Sequence, residues 1–264
     1  MGNALIGFSG FVGSTLLKQA PFDARYRSTD IGEINGGEFD TVVCAGAPAQ
    51  KWISNREPDV DLQKIKGLIS HLKTIQCKTF ILISTVDVFK NPIGVDEGTA
   101  AEETGLHPYG LHRRLIEKFV SSHFTNHLIV RLPGLVGPGL RKNVIFDLLN
   151  NNNLNSIESR GVFQFYPMVN LWFDIQTARD ARLRLVHLTA APMSVADVSL
   201  KGFGKTFDHQ LGGTPGHYDM RTRHAKAFGV QGDYQYSLRE TVQAIRAYAQ
   251  SEPVSLRPAP GATA

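Results

Sequence analysis

The stretch NALIGFSGFVGSTLLKQA (residues 3–20) predicts the first unit of the fold. Its apolar start (3–8) indicates a strand and its end (14–20) a helix, with the glycines of a GxxGxxG pattern between them. Glycines at such a junction permit a tight turn and let the backbone approach a pyrophosphate beside the free N–H groups of the helix. The stretch therefore predicts a dinucleotide-binding loop, and close helix–strand packing without a ligand is the alternative. The predicted cofactor-binding residues of the loop are Gly7, Gly10, Phe11, Val12 and Gly13.

The same alternation of strand and helix continues along the first half of the chain. Apolar runs at 39–47, 78–85 and 126–132 predict strands, and 24–29 could be a further one. Amphipathic stretches at 59–75 and 109–124 predict helices. Strands that are apolar throughout are typical of a parallel sheet covered on both faces. The pattern predicts an α/β fold with a doubly wound parallel sheet (Rossmann), whose ligands bind at the carboxyl ends of the strands.

The pattern loosens after residue 133, and this change suggests the domain organisation. We expect a Rossmann domain over 1–140, completed by parts of 160–192, and a small, interleaved substrate-binding lobe over 141–250. A further helix is predicted over 174–188. The segment 251–264 is rich in Pro and Ala and is predicted to be a disordered tail.

Composition restricts the possible classes of protein. The 264 residues are 42% hydrophobic and 20% charged, which is enough for a sizeable core. No apolar run approaches the roughly 20 residues of a membrane span, and no signal peptide is seen. Cys44 and Cys77 form no CxxC pair, so we expect reduced thiols in a cytoplasmic protein and no metal site. The modest charge of +4, with scattered basic residues, argues against nucleic-acid binding.

The end of the second predicted strand, RYRSTD (25–30), should contact the adenosine ribose. Arg27 and Ser28 could hold a 2′-phosphate, and Asp30 could hold ribose hydroxyls. We therefore favour NADP(H) over NAD(H). Alternatively, Arg25 and Arg27 are solvated charges at a strand end.

Three residues form a candidate catalytic group: Thr85 ends the strand in LISTVDVF, and Tyr109 and Arg113 lie one turn apart on a helix. Hydride transfer to a carbonyl needs a proton, which a phenol can exchange if its pKa falls from about 10 toward 7. A cation at ~4 Å supplies about the 4 kcal/mol that this shift requires. Thr85 would polarise the carbonyl oxygen. The alternative is a basic, solvated helix face, and the flanking His107 and His112 are interpreted as surface residues.

Taken together, GFSGFVG, LISTVDVF, YGLHR and RLPGLVGPG resemble, in order and spacing, the extended short-chain dehydrogenase/reductase superfamily of NAD(P)-dependent epimerases, dehydratases and ketoreductases. The resemblance covers roughly residues 3–140. It implies that Tyr109 is the catalytic tyrosine and Thr85 the catalytic Ser/Thr, and that Arg113 replaces the catalytic lysine. It also implies cofactor contacts from Ala45, Gly46, Ala47, Tyr109 and Arg113, with Arg113 holding the cofactor ribose. Substrate contacts are implied for Thr85, Asp87, Gly134 and Asn143.

Departures from the superfamily pattern narrow the expected chemistry. Val86 and Asp87 stand where sugar-nucleotide dehydratases carry Asp-Glu, so a ketoreductase is favoured over a dehydratase. Gly134 replaces an Asn that touches the substrate in many nucleotide-sugar enzymes. Arg113 keeps the charge of the lysine but cannot relay a proton.

These observations predict an NAD(P)-dependent oxidoreductase that reduces or epimerises a keto group on a sugar-like, or nucleotide-linked, small molecule. The alternative is a catalytically inactive NAD(P)-binding sensor or scaffold, which the substituted lysine favours. The resemblance also implies a homodimer through the helices at 59–75 and 109–124, although their apolar faces could equally be used within the monomer.

Overall fold

The computed structural model describes residues 1–253, so the predicted tail 251–264 lies outside the described residues from position 254 onward. The strands are β1 (Gly2–Ile6), β2 (Ala24–Tyr26), β3 (Glu38–Cys44), β4 (Gln76–Thr85), β5 (Ile93–Val95), β6 (His127–Leu132), β7 (Gly134–Val136), β8 (Val162–Phe163), β9 (Phe165–Pro167), β10 (Leu185–His187), β11 (Met193–Ser194) and β12 (Asp219–Met220). The helices are α1 (Phe11–Gln19), α2 (Lys51–Arg56), α3 (Pro58–Leu72), α4 (Pro108–His123), α5 (Val144–Asn150), α6 (Leu171–Asp180), α7 (Val195–Asp197) and α8 (Leu238–Ser251).

Six parallel strands form the central sheet, in the order β10-β6-β4-β3-β1-β2. From β1 the chain moves to β2 on one side and then to β3 on the other, so the strand order reverses between β1 and β3. Ile6 and Cys44, the last residues of these two strands, are paired in register. Such a reversal opens a crevice at the carboxyl ends of the strands, where ligands bind in doubly wound folds. The predicted fold class is confirmed.

Helices cover both faces of the sheet, which explains why its strands are apolar throughout. On one face, α3 and α4 pack Ile65 and Ile116 against Val42. On the other face, α1 and α6 pack Leu16 and Ile175 with Val43. Val42 and Val43, neighbours in β3, thus pack on opposite faces of the sheet, because successive side chains of a strand alternate between its two faces.

The helix predicted over 174–188 is wrong in its second half. Helix α6 ends at Asp180, and Arg182 adopts a left-handed conformation with φ of 56°. Residues 185–187 then form β10 at the edge of the sheet beside β6. Backbone pairing with β6 and burial of Val186 outweigh the helical periodicity of this stretch. Periodicity depends only on neighbouring residues, so it carries no information about a strand that is distant in the sequence.

Smaller pairs of strands build the part of the molecule beyond the sheet. Strand β7 pairs with β9, and β8 pairs with β11. Strand β5, from the first half of the chain, pairs with β12. A separate core containing Ile145, Phe165 and Ile245 joins α5, β9 and α8. Within residues 1–253, no helix is long and apolar enough to cross a membrane.

A buried ionic cluster ties α4 to the sheet. Glu117 accepts hydrogen bonds from Ser84 Oγ at 2.6 Å, from Arg131 Nε and Nη2 at 2.9 and 2.8 Å, and from Arg114 Nη1 at 2.5 Å. Burial alone would raise the pKa of Glu117, but its hydrogen bonds and the charge of Arg131 hold that pKa below its usual range. The carboxylate therefore stays ionised inside the protein.

We predict that Glu117→Gln lowers the free energy of unfolding at neutral pH by about 3–5 kcal/mol, because it leaves the buried charge of Arg131 unpaired. Urea unfolding measures the loss. Lys118→Met, at the neighbouring exposed position, is the control. Because the folded-state pKa of Glu117 is depressed, its stabilisation is complete above the ordinary glutamate pKa and disappears as the pH falls through the folded value. If the free energies of unfolding of wild type and Glu117→Gln differed by the same amount in acid as at neutral pH, this account would be contradicted.

Candidate active site

A cavity of about 410 Å³ opens at the carboxyl edge of the sheet. Its walls come from the start of α1, the ends of β3 and β4, the first turn of α4 and the segments around β7 and β8. Most of the residues predicted from the sequence face this one space. The predicted residues that line it are Phe11, Val12, Ala45, Ala47, Thr85, Asp87, Tyr109, Arg113, Gly134 and Asn143.

The three glycines of the loop are needed for different reasons. Gly7 has φ of 85°, and a Cβ there would overlap the carbonyl of Ala45. A Cβ at Gly13 would overlap the carbonyl of Gly7, so this glycine allows α1 to approach the turn. Gly10 is exposed at the helix N-terminus, with an ordinary φ of −77°, and a Cβ would come no closer than 3.5 Å to Gly7 O. Nothing in the protein itself crowds Gly10, so its missing side chain leaves the helix N-terminus open to a ligand.

The predicted ribose-contacting turn lies beside the glycine loop but outside the cavity. Gly7 N–H donates to the carbonyl of Tyr26 at 2.7 Å, which brings the end of β2 next to the loop. Arg27 and Ser28 are exposed there. The backbone N–H and Nε of Arg27 donate to the Asp30 carboxylate at 2.6 and 3.2 Å. Arg27 and Asp30, the candidates for a 2′-phosphate and for ribose hydroxyls, thus form an ion pair with each other.

Tyr109 and Thr85 meet inside the cavity. The backbone N–H of Tyr109 donates to Asn55 Oδ1 at 2.9 Å, which anchors the first turn of α4. Burial raises the pKa of Tyr109, while the charge of Arg113 and a hydrogen bond from the Thr85 hydroxyl act against that rise without cancelling it. The predicted fall of this pKa is therefore not seen. At neutral pH the phenol is protonated.

The charge of Arg113 opposes the raised pKa of Tyr109, but that charge is itself paired inside the protein. Its guanidinium lies 4.1 Å from the centre of the Tyr109 ring, yet the side chain is only 2% exposed. Nη1 and Nη2 donate to Asp61 at 2.5 and 3.1 Å, and Nη2 also donates to the carbonyl of Pro48. The positive charge is thus compensated by a buried carboxylate, and both terminal nitrogens are held by protein acceptors.

Asp61 was missed by the sequence analysis. It is buried on α3 and also accepts hydrogen bonds from Ser54 Oγ at 2.9 Å and from His112 Nδ1 at 2.7 Å. The interpretation of His112 as a surface residue is therefore wrong, because Asp61 satisfies it inside the protein. The sequence did contain an indication of this burial. Asp61 stands four residues before Ile65 and therefore lies on the apolar face of α3.

Lys51 and Tyr218 were also missed, and both line the cavity. Lys51 Nζ donates to Asp87 Oδ1 at 2.6 Å and lies 3.1 Å from the Tyr218 hydroxyl, which itself donates to Asp87 at 3.1 Å. Burial would lower the pKa of Lys51, but Asp87 and Tyr218 raise it above its usual value. Lys51 shortly follows the strand-end run CAGAP and could have been noticed, whereas nothing local marks Tyr218.

Two predicted substrate-binding residues shape the cavity through the backbone. Asn143 has φ of 95°, and its side chain accepts from Ile145 N–H at 2.9 Å and donates to Leu135 O at 2.8 Å. A Cβ at Gly134 would lie 2.5 Å from Gln164 O, so the pairing of β7 with β9 excludes the asparagine expected at this position. Gly46 similarly lets β3 approach Ile6, since a Cβ there would lie 2.8 Å from Ile6 Cγ2.

Fold and site together define a Rossmann-type α/β protein in which the start of α1, directly after the glycine loop, and the Thr–Tyr pair line one cavity. No family model matches the chain, and no curated protein matches it in sequence. Among solved structures, MoeE5 in complex with UDP-glucose and NAD is similar, with a TM-score of 0.70, 15% identity, and 95% of this chain and 99% of that chain covered.

Two further solved structures are similar over nearly their whole length. One is dTDP-4-dehydrorhamnose reductase from Bacillus anthracis in complex with NADP, with a TM-score of 0.70, 14% identity, and coverage of 95% of this chain and 98% of that chain. The other is UDP-glucose 4-epimerase from Thermotoga maritima with UDP-glucose, with a TM-score of 0.69, 15% identity, and coverage of 95% and 99%. The resemblance predicted from the sequence is thus confirmed in the fold.

We predict that Arg113→Lys lowers the free energy of unfolding by about 1.5–3 kcal/mol, because an ammonium cannot bridge Asp61 and the Pro48 carbonyl as a planar guanidinium does. Urea unfolding measures the change. Arg114→Lys, at the next position, removes a single contact to Glu117 and should cost less. Equal losses in the two variants would show that Arg113 has no special structural role.

Proposed function

We propose that the chain is an NAD(P)-dependent oxidoreductase that reduces a keto group on a sugar-like or nucleotide-linked substrate. One observation carries the proposal: the start of α1, which follows the glycine loop, and the Thr85–Tyr109 pair line the same cavity. A dinucleotide at the loop and a carbonyl at the pair would therefore share one enclosed space. The solved structures support this reading, since MoeE5 is described with NAD and UDP-glucose and the reductase with NADP.

The residues fit a dinucleotide. Gly10 leaves the N-terminus of α1 open, and the backbone N–H groups there would hold the pyrophosphate. Ala45, Gly46 and Ala47 would pass the nicotinamide ribose. The exposed Arg27 and Ser28 favour NADP(H) over NAD(H), because they could hold a 2′-phosphate. When bound, the reduced nicotinamide supplies the hydride.

In the proposed mechanism the protein handles the proton. Tyr109, protonated at neutral pH because burial raises its pKa, would give its phenolic proton to the keto oxygen. The Thr85 hydroxyl would donate a hydrogen bond to the same oxygen and so stabilise the charge that develops on it. A phenol that starts protonated is an acid, and this favours carbonyl reduction over alcohol oxidation as the first step.

Dehydration is disfavoured by the surroundings of Thr85. Val86 is buried and apolar where a dehydratase would need an acid. The Asp87 carboxylate is engaged by Lys51 and Tyr218. Epimerisation through a keto intermediate stays within the proposal, and net consumption of the cofactor would mark a reductase. The alternative of an inactive sensor or scaffold gains no support from the similar solved structures, two of which are an epimerase and a reductase.

We also propose a cytoplasmic homodimer. Val60 of α3 and Leu111 and Leu115 of α4 expose apolar side chains on neighbouring helices, which suits a helical interface between two copies. Cys44 and Cys77 are both free thiols, as a reducing compartment permits. The lobe over 141–250 is proposed to select the substrate.

Two glycine substitutions test the dinucleotide site. Gly10→Ala should change the free energy of unfolding by about 1 kcal/mol or less. It should weaken NADPH binding about 10-fold or more, because the methyl group fills the approach to the helix N-terminus. Gly13→Ala should instead destabilise the fold by about 1–3 kcal/mol through its clash with Gly7 O. Fluorescence titration of NADPH and urea unfolding separate the two effects. Wild-type affinity in Gly10→Ala would place the dinucleotide elsewhere.

A substitution of the tyrosine tests the chemistry. Tyr109→Phe should lower kcat for carbonyl reduction about 10²- to 10⁴-fold without weakening NADPH binding, because only the proton donor is removed. Tyr234→Phe, which lies outside the cavity lining, is the control. In the wild type the reduction rate should hold through neutral pH and fall as the pH rises through the raised pKa of Tyr109. Oxidation of NADPH by keto sugars and their nucleotides measures the rates, and undiminished activity in Tyr109→Phe would exclude the assignment.

A further inference from the structure

We propose that Lys51 and Asp87 return a proton to Tyr109 after each reduction, through the hydroxyl of Thr85. The proposal rests on the proposed function and adds the proton source that the reaction requires. Lys51 and Asp87 act on the reaction only through Thr85 and Tyr109, and the proposal gives neither of them a direct contact with the keto group.

A continuous series of polar contacts connects the phenol with solvent. Thr85 and Tyr109 line the same cavity, and the Thr85 hydroxyl is close enough to the phenol to oppose the rise of its pKa. Thr85 Oγ1 lies 3.5 Å from Asp87 Oδ2. The other oxygen of Asp87 accepts from Lys51 Nζ at 2.6 Å. The Lys51 side chain is 38% exposed, whereas that of Asp87 is 16% exposed, so the series leads from the buried phenol outward to water.

Arg113 cannot perform this task. A guanidinium does not lose a proton in proteins. Its terminal nitrogens are also held by Asp61 and by the carbonyl of Pro48, and the side chain is only 2% exposed. An ammonium such as that of Lys51 can lose a proton and regain one from water.

The proton count closes without any further reagent. When Tyr109 protonates the keto oxygen, its O–H bond breaks and a phenolate remains. Thr85 gives its hydroxyl proton to the phenolate and receives one from Asp87, whose carboxylate has taken it from the Lys51 ammonium. Lys51 is left as a neutral amine and is reprotonated from water. No electrons move in this sequence, and every group returns to its starting state.

The groups that face this series set its charge. Tyr218 donates to Asp87 and lies against Lys51, so it holds the carboxylate in place. His107 is affected by the charges of Lys51 and Asp87, and burial with the nearby Lys51 lowers its pKa, so it is uncharged at neutral pH. Arg113 and Lys51 are the cations whose charges act on Tyr109.

The first test needs no substrate. Tyrosine carrying ¹³C at Cζ is incorporated, the Tyr109 resonance is assigned by its loss in Tyr109→Phe, and its pKa is read from NMR titration. Lys51→Met should raise that pKa because it removes a nearby cation, and Lys51→Arg should leave it close to wild type. Lys66→Met, at an exposed position of α3, is the control for loss of a lysine. An unmoved pKa in Lys51→Met overturns the proposal.

The second test separates proton transfer from charge. Lys51→Arg keeps the charge but cannot release a proton, so kcat should fall about 10- to 100-fold while NADPH affinity stays at the wild-type value. In Lys51→Ala, added methylammonium should restore part of the lost kcat, which a merely structural residue would not allow. Full kcat in Lys51→Arg overturns the relay. If no carbonyl compound is reduced by the wild type, the proposed function fails, and the NMR titration still decides whether Lys51 and Tyr109 are coupled.

Discussion

The buried ion pair between Asp61 and Arg113 is the constraint on which the site depends. It joins α3 to α4, and the Pro48 carbonyl attaches the loop after β3 to the same guanidinium. Tyr109 rests on the face of that guanidinium, so its position follows from the pair. Removing either partner of such a buried pair leaves an uncompensated charge, which costs far more than the intact pair contributes. The arginine is therefore a structural part of the fold as well as a neighbour of the phenol.

In the proposed reaction, Arg113 and Lys51 would share the tasks that a single lysine could perform. Arg113 provides a permanent charge beside the phenol, but it is paired with Asp61, and burial keeps the pKa of Tyr109 high. In the proposed reaction such a phenol would act as an acid and would need a separate route for its next proton. Lys51 stands at the solvent side of the cavity, where an ammonium keeps contact with water.

The cavity depends equally on contacts between distant parts of the chain. Tyr218, from the C-terminal part, bonds Asp87 at the end of β4. The Gln164 side chain donates to the carbonyls of Ala190 and Met220 and accepts from the Met220 amide. It therefore joins backbone segments of the cavity wall to each other. The C-terminal part of the cavity wall is thus held together by long-range hydrogen bonds.

The sequence alone determined the parallel sheet, the glycine loop and the placement of Tyr109 and Arg113 one turn apart on a helix, because strand periodicity, turn glycines and one-turn helix spacing act over a few residues. Only the tertiary structure decided that Asp61 compensates Arg113, that residues 185–187 form a sheet edge, and that Lys51 and Tyr218 reach Asp87. Asp61 and Arg113 are 52 residues apart in the sequence, Lys51 and Asp87 are 36 apart, and Asp87 and Tyr218 are 131 apart. A buried charge is compensated by whatever carboxylate the fold brings to it, and no local pattern specifies which one that is.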